Sequence, residues 1–482
     1  MLFNSLEFLV FFVGVVTAYF ALPFRFRWML LLAGSYGFYA AWRPEYLLLI
    51  LGSTLVDWLV ALRMGALGDR EARRPWLVLS IAANLGLLGF FKYFDFFSES
   101  LQAVFDAARL DVELPLLDLL LPVGISFYTF QTLSYSVDVY RGRRPAERHL
   151  GIFALYVSFF PQLVAGPIER STRFLPQLHE PRAFDAVRVR DGLALMLFGF
   201  FKKCVVADRA ALFVDPVFAE PGRFEGVASL LGTYFFQWQL YCDFSGYSDI
   251  AIGAAAVMGY RLMTNFRRPY LATSILDFWN RWHVSLTTWL RDYLYFPLTG
   301  RDTRNWRRLL NLLIVFAISG LWHGATWNCV LWGLVNGVFL VVGLLTVKAQ
   351  ARFFRAVGLG DSSRIRRLID VVVTFHLGTV GLMLFRTQTM PELRAHVAGI
   401  LAPSGSFWTL DSPLGAYPLT LLVISIVVLL VIQLFQERHD STLVAELGAR
   451  PRWVRWAVYH AFLLCVLMFG EFNLTPFFYF QF

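Results

Sequence analysis

Apolar residues run along this chain in long blocks, and most charged residues lie between the blocks. A helix needs about 20 mainly apolar residues to cross the hydrocarbon core of a bilayer. Blocks that approach or exceed this length lie at 6–23, 46–62, 76–97, 311–346, 415–435 and 456–470. The pattern predicts an all-α polytopic membrane protein, with about 11–12 transmembrane helices and some interfacial ones.

Composition and charge also indicate a membrane protein and not a nucleic-acid-binding one. Hydrophobic residues make up 57% of the 482 residues and charged residues only 16%, whereas about 25% of a typical soluble domain is charged. The net charge of +9 arises from basic residues in loops beside apolar spans, where they set membrane orientation. No nucleic-acid-binding motif accompanies them, so a nucleic-acid partner is not expected.

Loop charges and segment lengths predict how the chain is threaded through the membrane. The first 24 residues hold Glu7 and no lysine or arginine, so they do not resemble a cleavable signal peptide. Basic residues follow the first and third spans, and an acidic stretch follows the fourth, which predicts an N-terminus on the outer side. The segment 151–165 is too short to span and should form a re-entrant or interfacial helix covered by protein.

One histidine falls inside an apolar block. No Asp, Glu, Lys or Arg lies between Arg308 and Lys348, so this segment is expected to cross the membrane and return. His323 lies roughly 18 Å into it, past the middle of a ~30 Å core. An ionisable side chain there indicates a functional site, although a neutral histidine bonded to a neighbouring helix is the alternative. Gly320 and Gly324 would let backbone or substrate approach closely.

A second histidine lies on a predicted amphipathic helix. Apolar residues of the segment 275–296 recur on one helical face, and polar residues occupy the other. His283 falls at the edge of the apolar face, and Pro297 is expected to end the helix. The pattern is typical of a helix at the cytoplasmic boundary, where His283 would face protein or lipid, as a functional group or as a packing residue.

Two aspartates lie in the stretch 241–249, ahead of a run of alanine and glycine. Asp243 and Asp249 are predicted at the head of a helix whose small residues allow close packing. We expect them to cap this helix or to serve as buried partners of an arginine. Ser245 is not in a G-x-S-x-G motif, so a serine hydrolase is not expected.

The chemistry that suits a single buried imidazole is proton abstraction. Burial favours the neutral form of histidine, which can act as a general base. A base that faces an activated acyl group and a hydroxyl supports acyl transfer, whose tetrahedral intermediate needs hydrogen-bond donors. Asn328, Trp322 and His283 are candidates for those donors. No metal site is expected, because neither histidine has an H-x-x-x-H partner or a carboxylate pair.

Several long motifs resemble those of one known family. They are 121–131 (LPVGISFYTFQ), 159–167 (FFPQLVAGP), 241–251 (YCDFSGYSDIA), 278–283 (FWNRWH), 289–295 (WLRDYLY), 320–324 (GLWHG) and the terminal 476–482 (PFFYFQF). Together they resemble the membrane-bound O-acyltransferase (MBOAT) family, and in particular its bacterial branch that O-acetylates alginate and other exported polysaccharides.

The resemblance implies a single acyltransferase domain over residues 1–482, with a catalytic core at about 120–346 and C-terminal helices at 367–482. The implied fold is a ring of transmembrane helices around a central funnel, in the bacterial inner membrane. The family's catalytic histidine corresponds to His323 and its second signature position to His283. Asn280, in the motif 278–283, and Asp243, in the motif 241–251, are supporting candidates.

The resemblance also implies the reaction partners. No cofactor is expected to be tightly bound. The donor would be a cytoplasmic acyl thioester, either acetyl-CoA or an acyl-carrier protein. The acetyl group would pass to a periplasmic, outer-face acetyltransferase partner and from there to the exported polysaccharide.

Two positions depart from the family pattern. Cys242 replaces a usual Phe. Asn336 stands where some relatives carry a further histidine, so no role is expected for position 336.

Two other functions are open. One is D-alanyl transfer to a cell-envelope polymer, which is the reaction of the sister branch that shares these motifs. The other is a glycan or lipid transporter with His323 as proton relay, which predicts related halves that the sequence does not show.

Overall fold

The computed structural model describes residues 1–300, 304–402, 412–472 and 477–478. All regular secondary structure in these ranges is helical, as the apolar blocks predict. The helices long and apolar enough to cross a membrane are Pro44–Ala66, Arg70–Ala107, Trp327–Ala356, Arg364–Arg386, Ala416–His439 and Arg452–Phe469. The protein is therefore a multi-pass membrane protein. The total of about 11–12 crossings and the ring around a funnel stay predictions.

The chain forms two compact units, of which the first comprises Met1–Leu193 and Ala251–Met263. Its helices are α1 (Leu6–Ala21), α2 (Phe24–Ala40), α3 (Leu47–Ala66), α4 (Arg70–Leu88), α5 (Phe94–Ala107), α6 (Ile125–Tyr140), α7 (Leu150–Ser158), α8 (Phe160–Leu163) and α9 (Ser171–Leu178), with a 3-10 turn at Pro44–Tyr46 and a π-helical turn at Gly89–Tyr93. The segment 151–165 forms α7 and α8 and is almost entirely buried. Protein therefore covers it, as expected.

The second unit comprises Ala194–Ile250 and Thr264–Phe478. The next helices are α10 (Ala186–Phe200), α11 (Asp208–Ala219) and α12 (Val227–Met258). The chain passes from one unit to the other within α10, within α12 and again between Met263 and Thr264. The later helices are α13 (Ile275–Arg281), α14 (Val284–Leu290), α15 (Phe296–Thr299), α16 (Asn305–His323), α17 (Trp327–Ala356), α18 (Arg364–Arg386), α19 (Met390–Leu401), α20 (Ala416–His439), α21 (Leu443–Gly448) and α22 (Arg452–Phe469). A 3-10 turn lies at Pro269–Leu271, and π-helical turns lie at Phe201–Ala207 and Arg291–Tyr295.

The block 311–346 folds back on itself as a helical hairpin, and its two passages across the membrane stay a prediction. α16 ends at His323 and α17 begins at Trp327. Thr326 caps α17 by accepting a hydrogen bond from the backbone N–H of Cys329. His323 is thus the last residue of its helix, beside the turn. Of the terminal motif 476–482, only residues 477 and 478 fall within the described ranges.

A buried carboxyl group joins three helices of the first unit. Asp57 on α3 accepts hydrogen bonds from Ser80 and Asn84 on α4. Thr132 on α6 donates to the side-chain oxygen of Asn84 at 3.0 Å. Because a buried polar group without partners costs stability, this network favours one register of the three helices.

We predict that Asn84→Leu destabilises the protein. The substitution removes the amide that donates to both carboxyl oxygens of Asp57. The expected loss is about 1–3 kcal/mol, measured as a lower midpoint of thermal unfolding in detergent. Ser53→Ala is the control, because the Ser53 hydroxyl donates to a carbonyl of its own helix. Equal midpoints for the two variants would contradict the prediction.

Candidate functional site

His323 is positioned by the close approach of two helix backbones. It is 3% exposed and ends α16, where the N–H of Gly324 donates to the carbonyl of Gly320. A Cβ on Gly320 would lie 2.2 Å from the carbonyl oxygen of Cys329 on α17. Only glycine fits at this crossing. The close approach predicted from the flanking glycines is therefore confirmed at Gly320.

His283 lies at a break between two short helices. α13 ends at Arg281 and α14 begins at Val284, so the prediction of one helix over 275–296 is wrong. His283 has a φ of +43°, in the left-handed region, which costs a non-glycine residue about 1–3 kcal/mol. Pro297 does not end the helix either, because it occupies the first turn of α15, where proline is tolerated.

Asn265 holds this break from outside the segment. Its backbone carbonyl accepts from the N–H of Val284 at 3.0 Å, and its side-chain carbonyl accepts from the Ser285 hydroxyl at 2.9 Å. Its amide donates to the Ser248 hydroxyl at 3.2 Å. Periodicity within 275–296 could not reveal the break, because the side chain that stabilises it lies 20 residues from Ser285 along the chain.

The two histidines line the same cavity, which has a volume of about 220 Å³. Their ring centroids are 6.2 Å apart. The walls are mostly apolar side chains of α13, α14 and α16. The other polar lining residues are Asn280, Thr287, Arg291, Tyr295 and Ser319. Two imidazoles can therefore act on one substrate in this cavity.

Aromatic rings enclose the imidazole of His323. The centroid of Trp322 lies 4.9 Å from His323 and 6.0 Å from His283. Trp332 and Phe385 contact His323 edge to face, at 5.0 and 5.7 Å. Such walls exclude water and thereby strengthen hydrogen bonds and charge interactions within the site.

Burial sets the charge state of His283. The residue is 1% exposed, and this burial holds the pKa of its imidazole well below its ordinary value, because the charged form would lose its hydration. His283 is therefore neutral at physiological pH, with one N–H and one lone pair. A neutral imidazole beside a second imidazole provides a hydrogen-bond donor and a base for one reaction.

The other candidates from the sequence divide between the site and its surroundings. Asn280 lines the cavity, and Trp322 packs on both histidines. Asn328 is not among the lining residues, and its amide donates to the backbone and hydroxyl oxygens of Thr387 at 2.9 and 3.2 Å. The structure therefore engages Asn328 elsewhere, because its side chain joins α17 to the end of α18.

Arg291 and Tyr295 belong to the site but were not singled out as candidates. Both line the cavity from the π-helical turn after α14. The motif 289–295 was the available signal, since it contains both residues. Within the described ranges, no three His, Cys, Asp or Glu side chains are grouped closely enough to hold a metal ion.

Asp243 and Asp249 do not cap a helix, so that expectation is wrong. Both lie inside α12, which begins at Val227, because no residue in the stretch 241–249 interrupts its backbone hydrogen bonding. Among the residues that the structure describes, both pair with lysine and not with arginine. The distances are 2.7 Å from Lys203 to Asp243 and 2.6 Å from Lys202 to Asp249. Asp243 is thus the buried partner of a lysine where an arginine was expected, and Asp249 pairs with a lysine while its side chain is 21% exposed.

The chain is similar in sequence to known membrane acyltransferases. Residues 148–381, which include both histidines, match the membrane-bound O-acyltransferase (MBOAT) family. The chain is 40% identical to the probable alginate O-acetylase AlgI of Pseudomonas aeruginosa, over 81% of this chain and 73% of that protein. It is 38% identical to the protein of the same name in Pseudomonas putida, over 85% and 82%. It is 32% identical to the peptidoglycan O-acetyltransferase of Helicobacter pylori, over 81% and 76%.

The similarity covers most of each chain and includes the two segments that carry the histidines of the cavity. A buried pair of imidazoles can offer both a base and a hydrogen-bond donor, which is compatible with acyl transfer to a hydroxyl. The protein is an O-acyltransferase and belongs to the membrane-bound O-acyltransferase family.

Proposed function

We propose that this protein is an O-acetyltransferase that takes an acetyl group from a cytoplasmic thioester and moves it across the membrane. The acetyl group serves O-acetylation of an exported polysaccharide such as alginate. The observation that carries this proposal is the cavity shared by His283 and His323. The names of the relatives support acetyl as the group and a polysaccharide as the acceptor. In this proposal the whole chain acts as one acyltransferase domain, with its catalytic core at about 120–346.

His323 is the general base of the reaction. Its imidazole removes the proton of the acceptor hydroxyl while the hydroxyl oxygen attacks the carbonyl carbon of the thioester. The tetrahedral intermediate then collapses, and the carbon–sulfur bond breaks. The proton held by His323 passes to the departing sulfur. The products are the O-acyl ester and the free thiol.

His283 stabilises the intermediate. Its neutral imidazole carries one N–H that can donate to the negative oxygen of the tetrahedral intermediate. The left-handed backbone of His283, held by Asn265, fixes this donor before substrate binds. A donor that is already oriented need not reorganise during the reaction, which is the main advantage of such a site.

The donor is acetyl-CoA or an acyl-carrier protein, acting as a substrate. Arg291 lines the cavity, and its side chain is 53% exposed. An accessible guanidinium there suits the phosphate that both thioester donors carry on their pantetheine arm.

The proposed location is the bacterial inner membrane, with the N-terminus on the outer side. Its support is the distribution of basic residues, which follow the first and third apolar spans. A periplasmic acetyltransferase partner on the outer face then receives the acetyl group and modifies the polymer.

We predict that His323→Ala abolishes polymer acetylation in cells. Loss of the general base should reduce transfer by about 10²–10⁴-fold, measured by mass analysis of the exported polysaccharide, while the protein stays in the membrane at its normal level. His460→Ala is the matched control, because this exposed histidine hydrogen-bonds a carbonyl of its own helix and does not line the cavity. Acetylation that persists in His323→Ala would remove the proposed base.

The residue at 283 must tolerate a left-handed backbone and must donate a hydrogen bond, so His283→Asn and His283→Ala should differ in turnover. Asparagine tolerates the left-handed backbone and supplies an N–H donor, whereas alanine does neither well. We expect His283→Ala to lose about 10²–10³-fold in turnover and His283→Asn to lose less, measured with radiolabelled acetyl thioester in membranes. Full activity of His283→Ala would reduce His283 to a packing role.

A further inference from the structure

Phe477 and Phe478, the last two described residues, are each separated from a histidine of the candidate site by one aromatic ring. Phe477 and Phe478 are 2% and 4% exposed. The ring of Phe477 packs on Phe244 with 5.5 Å between centroids, and Phe244 contacts His283 edge to face at 4.6 Å. Phe477 thus reaches one histidine through a single intervening ring.

Phe478 makes a corresponding series of contacts to the other histidine. Its ring lies 6.2 Å from Phe385, and Phe385 contacts His323 at 5.7 Å. Phe385 also packs on Trp332 at 5.0 Å, and Trp332 itself contacts His323. Because close-packed interiors transmit displacement, a shift of Phe478 would change the wall that holds the imidazole of His323.

A buried ionic cluster fixes the backbone at this point. The N–H of Phe478 donates to one carboxylate oxygen of Asp243 at 2.8 Å. The other oxygen of Asp243 pairs with Lys203 at 2.7 Å, and Lys203 also pairs with Asp208 at 2.7 Å. These three charged side chains are at most 9% exposed, and none of them lines the cavity. The acid–base step therefore does not use them.

The chain ahead of Phe477 is attached separately to the same unit. The N–H of Glu471 donates to the carbonyl of Cys204 at 2.9 Å. Arg209 pairs with the carboxylate of Glu471 at 2.9 Å and donates to the carbonyl of Phe469 at 2.6 Å. The segment after α22 is thus held at two places, at 469–471 and at 478.

Buried ion pairs rarely add stability over an apolar replacement of similar volume, and their best-supported use is to specify one geometry. In this unit, the cluster of Lys203, Asp208 and Asp243 specifies where Phe478 lies. The terminal motif is mostly aromatic, and this contact supplies a role for the phenylalanines of the motif that the structure describes.

We propose that Phe477 and Phe478 are positioning residues for acyl transfer. Phe477 sets the orientation of the His283 imidazole through Phe244, and Phe478 sets that of His323 through Phe385. Asp243 anchors both by accepting the N–H of Phe478. The inference rests on the proposed roles of the two histidines, but the packing itself can be tested without any activity assay.

Histidine ring resonances test the packing directly, because an aromatic ring shifts the resonance of a group beside it. Protein labelled with ¹³C at histidine Cε1 gives signals from 8 histidines, and His283→Gln and His323→Gln assign the two of interest. Phe477→Leu should shift the His283 signal more than the His323 signal, and Phe478→Leu should do the reverse.

Phe462→Leu is the matched control for this experiment. Its ring packs on Phe198 and Phe201 and contacts neither histidine in the described structure. It should leave both histidine signals in place. The proposal is overturned if Phe477→Leu and Phe478→Leu move neither signal, or if they move both signals no more than the control does.

Turnover per folded molecule distinguishes a positioning role of Phe478 from a role in folding. Leucine keeps most of the apolar volume of phenylalanine and removes the ring, so Phe478→Leu should stay folded in the membrane. We expect its turnover per folded molecule to fall about 10–100-fold with an unchanged KM for acetyl-CoA as the probe donor. Unchanged turnover per folded molecule would overturn the positioning role. Shifts in the predicted pairs combined with a fully active His323→Ala would leave the packing intact and reject the proposed function.

Asp243→Asn and Asp243→Leu form a matched pair for the anchor. Both lose the ion pair with Lys203, which keeps Asp208 as a partner. Only asparagine keeps an oxygen that can accept the N–H of Phe478. The His323 signal should stay near its original position in Asp243→Asn and should shift in Asp243→Leu. The same signal position in both variants would overturn the anchoring role.

Discussion

The site depends first on how closely two helix backbones approach in the α16–α17 hairpin. A Cβ on Gly320 would meet the carbonyl of Cys329 at 2.2 Å, and a Cβ on Gly333 would meet that of Phe316 at 2.1 Å. With glycine at both crossings, the helices pack without side chains between them. This packing places His323, the last residue of α16, against the Trp332 ring of α17. Without it, the imidazole would lose one wall of its enclosure.

The second histidine is positioned in the same cavity by a different structural feature, a break between two helices. His283 adopts a left-handed backbone that divides an otherwise regular amphipathic segment. Such a conformation persists only where surrounding structure imposes it, and here Asn265 supplies the hydrogen bonds. One histidine is thus fixed by contact between helices and the other by a polar side chain outside its segment. The pair lies in a mostly apolar cavity where both can act on one thioester and one hydroxyl.

Charged groups around the site have structural tasks, and few of them enter the cavity. Lys203 lies between Asp208 and Asp243 on neighbouring helical elements, and all three are buried away from the lining residues. Burial of these charges costs solvation, which their mutual pairing offsets. Arg291 is the cationic side chain among the cavity's lining residues. In the proposed reaction, this separation leaves proton transfer to the two histidines of the cavity, so that it does not compete with ion pairing.

The sequence by itself determined the membrane class, the helical hairpin around His323 and the family, because long apolar blocks and contiguous motifs are local properties. It also predicted a close approach at Gly320, because a residue without a Cβ lets a second helix backbone come near. Only the tertiary structure decided that His283 sits at a break, that Asn328 bonds Thr387 and that Asp243 pairs with Lys203. Each of these arrangements depends on contacts between residues that are distant in the chain, so no periodicity could report them.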